Sequence, residues 1–198
     1  MNLKTIRTTL WALVALVVLG IGAGAFLLRP EASNAASTFG KGEFALIDAS
    51  GKPVDQTILT GHPSMLFFGF THCPEVCPTT MGEMASWLDA LGAEAQDLQA
   101  YFVTVDPERD TPQILGEYVG WISDRITGLT GSPEEVAKAA KSWGVFYQKV
   151  PLEGGDYTMD HTASVFLVDS DGEFQGTIAY REDSATALGK LRNLLARS

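Results

Sequence analysis

Two cysteines stand four residues apart in Thr71-His72-Cys73-Pro74-Glu75-Val76-Cys77-Pro78, and the chain has no others. Residues at i and i+4 share one face of a helix, so in a helical turn both sulfurs point the same way. The run from Met65 to Phe70 before them is apolar and strand-like, and an amphipathic stretch follows at once. Proline is tolerated in a first helical turn, where its missing N–H would be unpaired in any case. The segment therefore predicts a strand, a tight loop and a helix opening near Pro74 or Pro78. A thiol at that end of a helix meets the positive end of the dipole, which favours thiolate. A thiolate pair can close a disulfide or hold a soft metal.

Outside the cytoplasm a spare thiol pair is normally oxidised to a structural disulfide. A loop this small restrains little of the unfolded chain, so such a bridge adds little stability. The spacing points to chemistry instead. Of the three histidines, His62 precedes Pro63 in a turn and has no assigned role, while His72 abuts Cys73. Adjacent side chains rarely converge on one metal, so His72 reads as structural. His161 lies in Tyr157-Thr158-Met159-Asp160-His161-Thr162, after a glycine loop and just before a core strand. On placement alone it is either an ordinary surface residue or a third ligand opposite the thiolates. Two thiolates and an imidazole suit Cu(I) and can hold Cu(II). Zinc usually takes a fourth protein ligand. Asp106 or Asp160 can supply one, or can accept a hydrogen bond from an imidazole.

The elements that must position these residues follow from periodicity. Glu43 to Asp48 reads as a strand entering a turn, with a return through Val54 to Leu59. After the strand Ser64–Phe70, Met81, Met84, Ala85, Leu88 and Leu91 recur at helical spacing, and the methionines read as core. Ala100 to Val105 is a β-prone run suited to a buried parallel strand, and it ends in Asp106-Pro107-Glu108-Arg109-Asp110-Thr111-Pro112. A helix follows over Gln113–Ile122, a strand over Ile126–Leu129, and a helix capped by Ser132 that runs to Trp143. Val145–Val150 is β-prone, Ala163–Val168 is a buried strand, and Ser170-Asp171-Gly172 turns into Phe174–Tyr180. Ser184 to Arg197 closes the chain as a helix. The predicted class is α/β: an N-terminal β-hairpin, then βαβ around the cysteines, then ββα. A dithiol opening the helix after the first parallel strand is the thioredoxin-like arrangement. It puts the cysteine loop and Asp106 at the carboxyl edge of the parallel strands.

Charge is divided unevenly. The first thirty residues hold Lys4, Arg7 and Arg29 and no acid, which leaves 11 of 14 basic residues against all 24 acidic ones, −13 net. So acidic a domain is unsuited to phosphate backbones, which excludes nucleic acid as the partner. Thr8 to Leu28 is uncharged and rich in Leu, Val and Ala, long enough as a helix to span roughly 30 Å of hydrocarbon. Basic residues ahead of it place the N-terminus in the cytoplasm and the domain outside. A cleaved signal peptide ending at Ala23-Gly24-Ala25 is the competing assignment, but the apolar run continues past that site. The expected organisation is an anchor over residues 1–29, a linker of small and polar residues over 30–41, and a folded domain over 42–198.

Three motifs in order, Thr71-His72-Cys73-Pro74-Glu75-Val76-Cys77-Pro78, Val105-Asp106-Pro107-Glu108-Arg109-Asp110-Thr111-Pro112 and Asp160-His161-Thr162, resemble the Sco (SenC/PrrC) family. Its members are membrane-anchored, thioredoxin-like copper proteins that take part in assembling cytochrome c oxidase. The resemblance covers residues 42–198. It implies that Cys73, Cys77 and His161 bind Cu(I) or Cu(II), with Asp106 in a supporting role. It further implies delivery of copper to the binuclear copper centre of oxidase subunit II, contact with other periplasmic copper chaperones, and a single-pass location in the cytoplasmic (inner) membrane with the domain on the periplasmic side. That is binding and transfer, not turnover of a substrate.

Other functions remain open at this point. A thiol–disulfide oxidoreductase that reduces the target's cysteines would use Cys73 and Cys77 as a redox pair and give His161 no metal. A peroxidase would want a threonine three residues before its reactive cysteine, where Pro74 stands before Cys77. A copper or redox sensor would need a signalling partner, since the chain has no separate output domain.

Overall fold

In the computed structural model the residues described are 39–198 and, nearer the N-terminus, Asn2, Arg7, Thr9, 11–14, 16, 17, 19 and 20. The chain divides into two units, Met1–Ser37 and Thr38–Ser198. In the first, Arg7 and every described residue after it are helical. Among the described residues no helix is long and apolar enough to cross a membrane. Much of the expected anchor over Thr8–Leu28, and the expected cleavage site, lie outside the described residues.

The second unit is built on a seven-stranded sheet. Its strands, in chain order, are β1 (Ala45–Asp48), β2 (Pro53–Asp55), β3 (Ser64–Gly69), β4 (Gln99–Thr104), β5 (Thr127–Thr130), β8 (Ser164–Val168) and β9 (Phe174–Ala179). They lie in the order β2-β1-β5-β4-β3-β8-β9. β3, β4 and β5 are parallel, while β8 runs antiparallel beside β3. All six residues of β3 are buried, as a strand flanked on both sides and covered on both faces requires. β6 (Tyr147–Pro151) and β7 (Tyr157–His161) pair only with each other, as a separate hairpin.

Four α-helices complete the unit: α1 (Val76–Leu91), α2 (Pro112–Ile122), α3 (Pro133–Ser142) and α4 (Ser184–Leu195). α1 buries Cys77, Thr80, Met81, Met84, Trp87, Leu88 and Leu91, the 3–4 spacing of one helix face. Met81 and Met84 are fully buried, as core residues are. Caps set the starts of the next two helices. Thr111 accepts from Ile114 N–H with Pro112 in the first turn, and Ser132 accepts from Glu135 N–H with Pro133 behind it.

Side chains alternate across β3. Phe67 meets Phe102 of β4 on one face, with ring centroids 6.0 Å apart. On the other face Phe68 meets Phe166 edge-on, and Phe166 joins Trp143, Phe174 and Phe39 in an aromatic cluster. Phe39 lies three residues ahead of the expected start of the domain, so the packed structure begins earlier than the composition suggested.

Several expected elements are shifted. The strand returning through Leu59 ends at Asp55, whose carboxylate accepts from Thr57 N–H and starts a 3₁₀ turn over Gln56–Leu59. The helix at the cysteines opens at Val76, so Cys73 precedes it and only Cys77 lies in its first turn. The stretch carrying His161, to which the sequence assigned no element, is a strand.

Candidate metal centre

β3 ends at Gly69, which pairs in register with Thr104 at the end of β4. The two loops that follow therefore leave the sheet side by side, one carrying the cysteines and the other Asp106 to Asp110. β8 runs the opposite way, so its start lies at this same edge, and His161 comes three residues before it. Strand direction alone brings the three segments together.

The sulfurs of Cys73 and Cys77 and a ring nitrogen of His161 lie within 4.8 Å of one another. Both cysteines are free and buried, and His161 is half-buried. Cys77 Sγ is 3.4 Å from His161 Nε2. His161 Nδ1 is 3.0 Å from the carbonyl oxygen of Thr162. A carbonyl only accepts, so Nδ1 carries the proton and Nε2 turns its lone pair toward the sulfurs. This is the tautomer a metal ligand needs. Phe67 and Phe70 meet the imidazole edge-on, with centroids 6.0 and 5.8 Å away, and limit its rotation.

The two sulfurs share their protons unequally. The Cys77 thiol donates toward Cys73, and this holds Cys73 down to about 4 against the opposing effect of burial; the Cys77 N–H also favours the thiolate. That backbone N–H, at 3.3 Å from Cys73 Sγ, is one of the donors a helix start leaves unpaired. Glu75 makes no side-chain cap there, so the sulfur takes the capping role. Cys77 moves the other way, far up, because its proton is held toward Cys73 and because it is buried. At neutral pH the pair presents one thiolate and one thiol, with the second proton available to leave when a metal arrives.

The segment Asp106–Asp110 reaches both sides of this group. Asp110, fully buried, accepts from Thr71 N–H at 3.0 Å, from the Thr71 hydroxyl at 2.6 Å and from the Thr104 hydroxyl at 2.6 Å. It fixes the entry to the cysteine loop. Asp106, 1% exposed, accepts from the Tyr157 hydroxyl at 2.8 Å and pairs with Arg109. Asp106 thus reaches β7, the strand that carries His161, through Tyr157. Asp160 is exposed, on the face of β7 opposite His161, and is not among the grouped ligand atoms. His72 is exposed and its Nδ1 is 3.1 Å from the Thr71 hydroxyl; His62 lies 3.2 Å from the Ser64 hydroxyl. Arg109, Asp110, Thr71 and Tyr157 escaped sequence reasoning. The only signal was the crowding of charge in Asp106-Pro107-Glu108-Arg109-Asp110, just ahead of the helix start at Thr111-Pro112. A groove of about 550 Å³ borders the cysteine loop, lined by Thr71, His72, Pro78, Ile114, Tyr118 and Trp121 among others. Trp121 is 93% exposed on it.

A family model described as SCO1/SenC matches residues 32–196, most of the chain. The protein belongs to the SCO1/SenC family. Protein SCO1 homolog 1, mitochondrial, of Arabidopsis thaliana is 40% identical over 134 residues, 67% of this chain and 40% of that protein. The match thus spans less than half of the plant protein's length. ScoI of Bradyrhizobium japonicum, solved with copper bound, has a TM-score of 0.73 and 42% identity, covering 79% of this chain and 99% of that one. BsSco, in which a disulfide switch was identified, is a member of the Sco family of cytochrome c oxidase assembly proteins. It has a TM-score of 0.64 and 27% identity, covering 81% of this chain and 96% of its own. The mixed α/β, thioredoxin-like fold expected for the domain is the fold of these Sco proteins, and the Cys-Cys-His group here is one that can hold a metal.

Proposed function

We propose that this protein binds copper through Cys73, Cys77 and His161 and delivers it to the binuclear copper centre of cytochrome c oxidase subunit II. The observation that carries this is the convergence of two sulfurs and an Nε2 lone pair within 4.8 Å. Soft sulfur donors favour Cu(I), and the imidazole widens the set to Cu(II). Asp106 supports the set through the strand that carries His161. Transfer then needs no turnover chemistry. Incoming thiolates displace the ligands in steps, and His161, the one ligand on a separate hairpin, can leave without disturbing α1. The open, apolar groove beside the cysteine loop is a surface that a protein can cover, unlike an enclosed substrate pocket. In the same proposal residues 1–29 anchor the chain in the inner membrane, the segment 30–41 joins that anchor to the folded unit, with Phe39 and Gly40 already packed on it, and the folded unit works on the periplasmic side, where other copper chaperones load it.

Copper binding to the Thr38–Ser198 unit, reduced and free of other metals, tests the site. One tightly held equivalent is expected in the wild type, with affinity reduced about a hundredfold or more in Cys73→Ala and Cys77→Ala and at least about tenfold in His161→Ala. Copper held equally well without His161 would refute the three-ligand site.

The thiolate held at Cys73, with the Cys77 thiol four residues on, favours a second reading: a membrane-anchored dithiol reductase that prepares the target's cysteines. His161→Ala separates the two, since dithiol exchange survives that substitution and copper delivery does not.

A further inference from the structure

We propose that Asp106, Arg109 and Tyr157 form a latch that positions His161, so that the latch governs the third ligand independently of the dithiol. This rests on the ligand set proposed above. The hairpin β6–β7 pairs with no strand of the main sheet, so the ladder that fixes every other strand does not fix this one. Side chains must hold it instead: Glu108 pairs with Lys149 of β6 at 2.6 Å, and the part-buried contacts converge on Tyr157, the first residue of β7. Its hydroxyl donates to Asp106 Oδ1 at 2.8 Å. Its carbonyl oxygen accepts from Arg109 Nη1 at 2.9 Å. The Arg109 guanidinium lies over its ring, 3.8 Å from the centroid, and Lys149 Nζ lies 4.6 Å from the same centroid. Arg109 is itself held by its ion pair with the buried Asp106. Tyr157, Met159 and His161 share one face of the strand, so the Tyr157 end sets where the His161 end lies.

The contacts divide cleanly. Asp106 and Arg109 reach the hairpin, whereas Asp110 reaches the cysteine loop through Thr71. Phe67, Phe70 and the Thr162 carbonyl orient the imidazole ring, but none of them fixes the far end of β7. Loosening the latch should therefore release His161 and leave both sulfurs in place. Two thiolates still hold Cu(I), while Cu(II) draws more on the imidazole. The latch is thus a positioning device that tells the two copper states apart.

The test uses the full-length chain with Arg109→Lys, Tyr157→Phe and the double substitution. Lysine keeps the charge beside Asp106 but loses the planar fork, and phenylalanine keeps the ring but loses the hydroxyl. Metal-free protein is followed by amide hydrogen exchange, and Cu(I) and Cu(II) affinities are measured by competition. In the double variant, exchange over residues 147–161 should rise about tenfold or more while β3 and β4 stay protected. Cu(II) affinity should fall by about tenfold, and Cu(I) affinity by less than about threefold. Unchanged exchange, faster exchange with unchanged Cu(II) affinity, or an equal loss of both ions each overturns the latch. If the wild type holds no copper, the copper reading fails instead, and exchange of the hairpin alone decides whether the latch exists.

Discussion

Asp110 shows how much of the centre depends on a residue that touches no ligand. Burial raises its pKa, and the hydrogen bonds from Thr104 and Thr71 oppose that rise only in part. The folded state therefore binds this proton more readily than the unfolded chain does. Its contribution to stability is full below the unfolded carboxylate pKa of about 3.9 and is lost as pH rises through the higher folded value. Asparagine fits the same place. Its oxygen can accept from Thr71 N–H and Thr104, and its amide can donate to the Thr71 hydroxyl, which then turns to accept. Asp110→Asn should thus gain stability relative to wild type as pH is raised from 4 to 7, read as urea midpoints at each pH. A difference that stays constant across that range would show that the carboxyl carries no titration cost. Cys73, Cys77 and His161 were legible because rare residue types at a short spacing carry their own signal. Asp110 and Arg109 were not, since their partners Thr71 and Tyr157 lie 39 and 48 residues away in the chain. Charge clustered near a helix start reads as capping until those partners are known.

Elements set the distances between the ligands, and the end of β3 is where they are tightest. A β-carbon on Gly69 would lie 2.8 Å from Cys77 Sγ and 2.7 Å from Phe102 Cε2. Glycine is needed there for close approach, so that the helix bearing Cys77 can sit down on the strand. Gly69→Ala must push the sulfur or the ring aside, and overpacking of this kind costs about 1–3 kcal/mol. Copper affinity should fall with it, by about tenfold or more, because the displaced atom is a ligand. Gly82 in α1 is the control: a β-carbon there meets nothing within 4 Å, so Gly82→Ala should stabilise by up to about 1 kcal/mol and leave copper binding alone. Urea unfolding and copper competition on both variants check this, and equal behaviour of the two would discount the contact. The parallel strands were legible as unbroken apolar runs, and α1 and α3 by spacing and caps. β6 and β7 were harder to read as a pair. Their burial pattern mixes exposed and half-buried positions, with Met159 the sole buried residue of the two strands. A hairpin outside the main sheet does not need the clean alternation that marks a strand with one face on a core.

At the scale of the whole molecule, the face of the sheet opposite the cysteines is closed by residues that composition assigned to a linker. Phe39 sits among small and polar residues, where one aromatic gives no periodicity to read. Its ring nonetheless meets Trp143 edge-on at 5.7 Å and lies 4.8 Å from Phe174. Gly40 continues the attachment: its N–H donates to the Ser142 carbonyl at 2.8 Å, and its φ of +77° lets the chain pass over Trp143 without a side chain in the way. Trp143 is 1% exposed, so removing this strap uncovers one of the largest side chains in the core. A chain starting at Gly42 should therefore be less stable than one starting at Thr38 by about 2–3 kcal/mol, the value of burying one large aromatic. Because the cluster lies across the sheet from the sulfurs, reduced copper binding at 25 °C should be unchanged between the two. Equal urea midpoints would mean that the strap adds nothing. A lower midpoint together with weakened copper binding would mean that the two faces of the sheet are coupled, and that this aromatic cluster supports the ligand set as well as the fold.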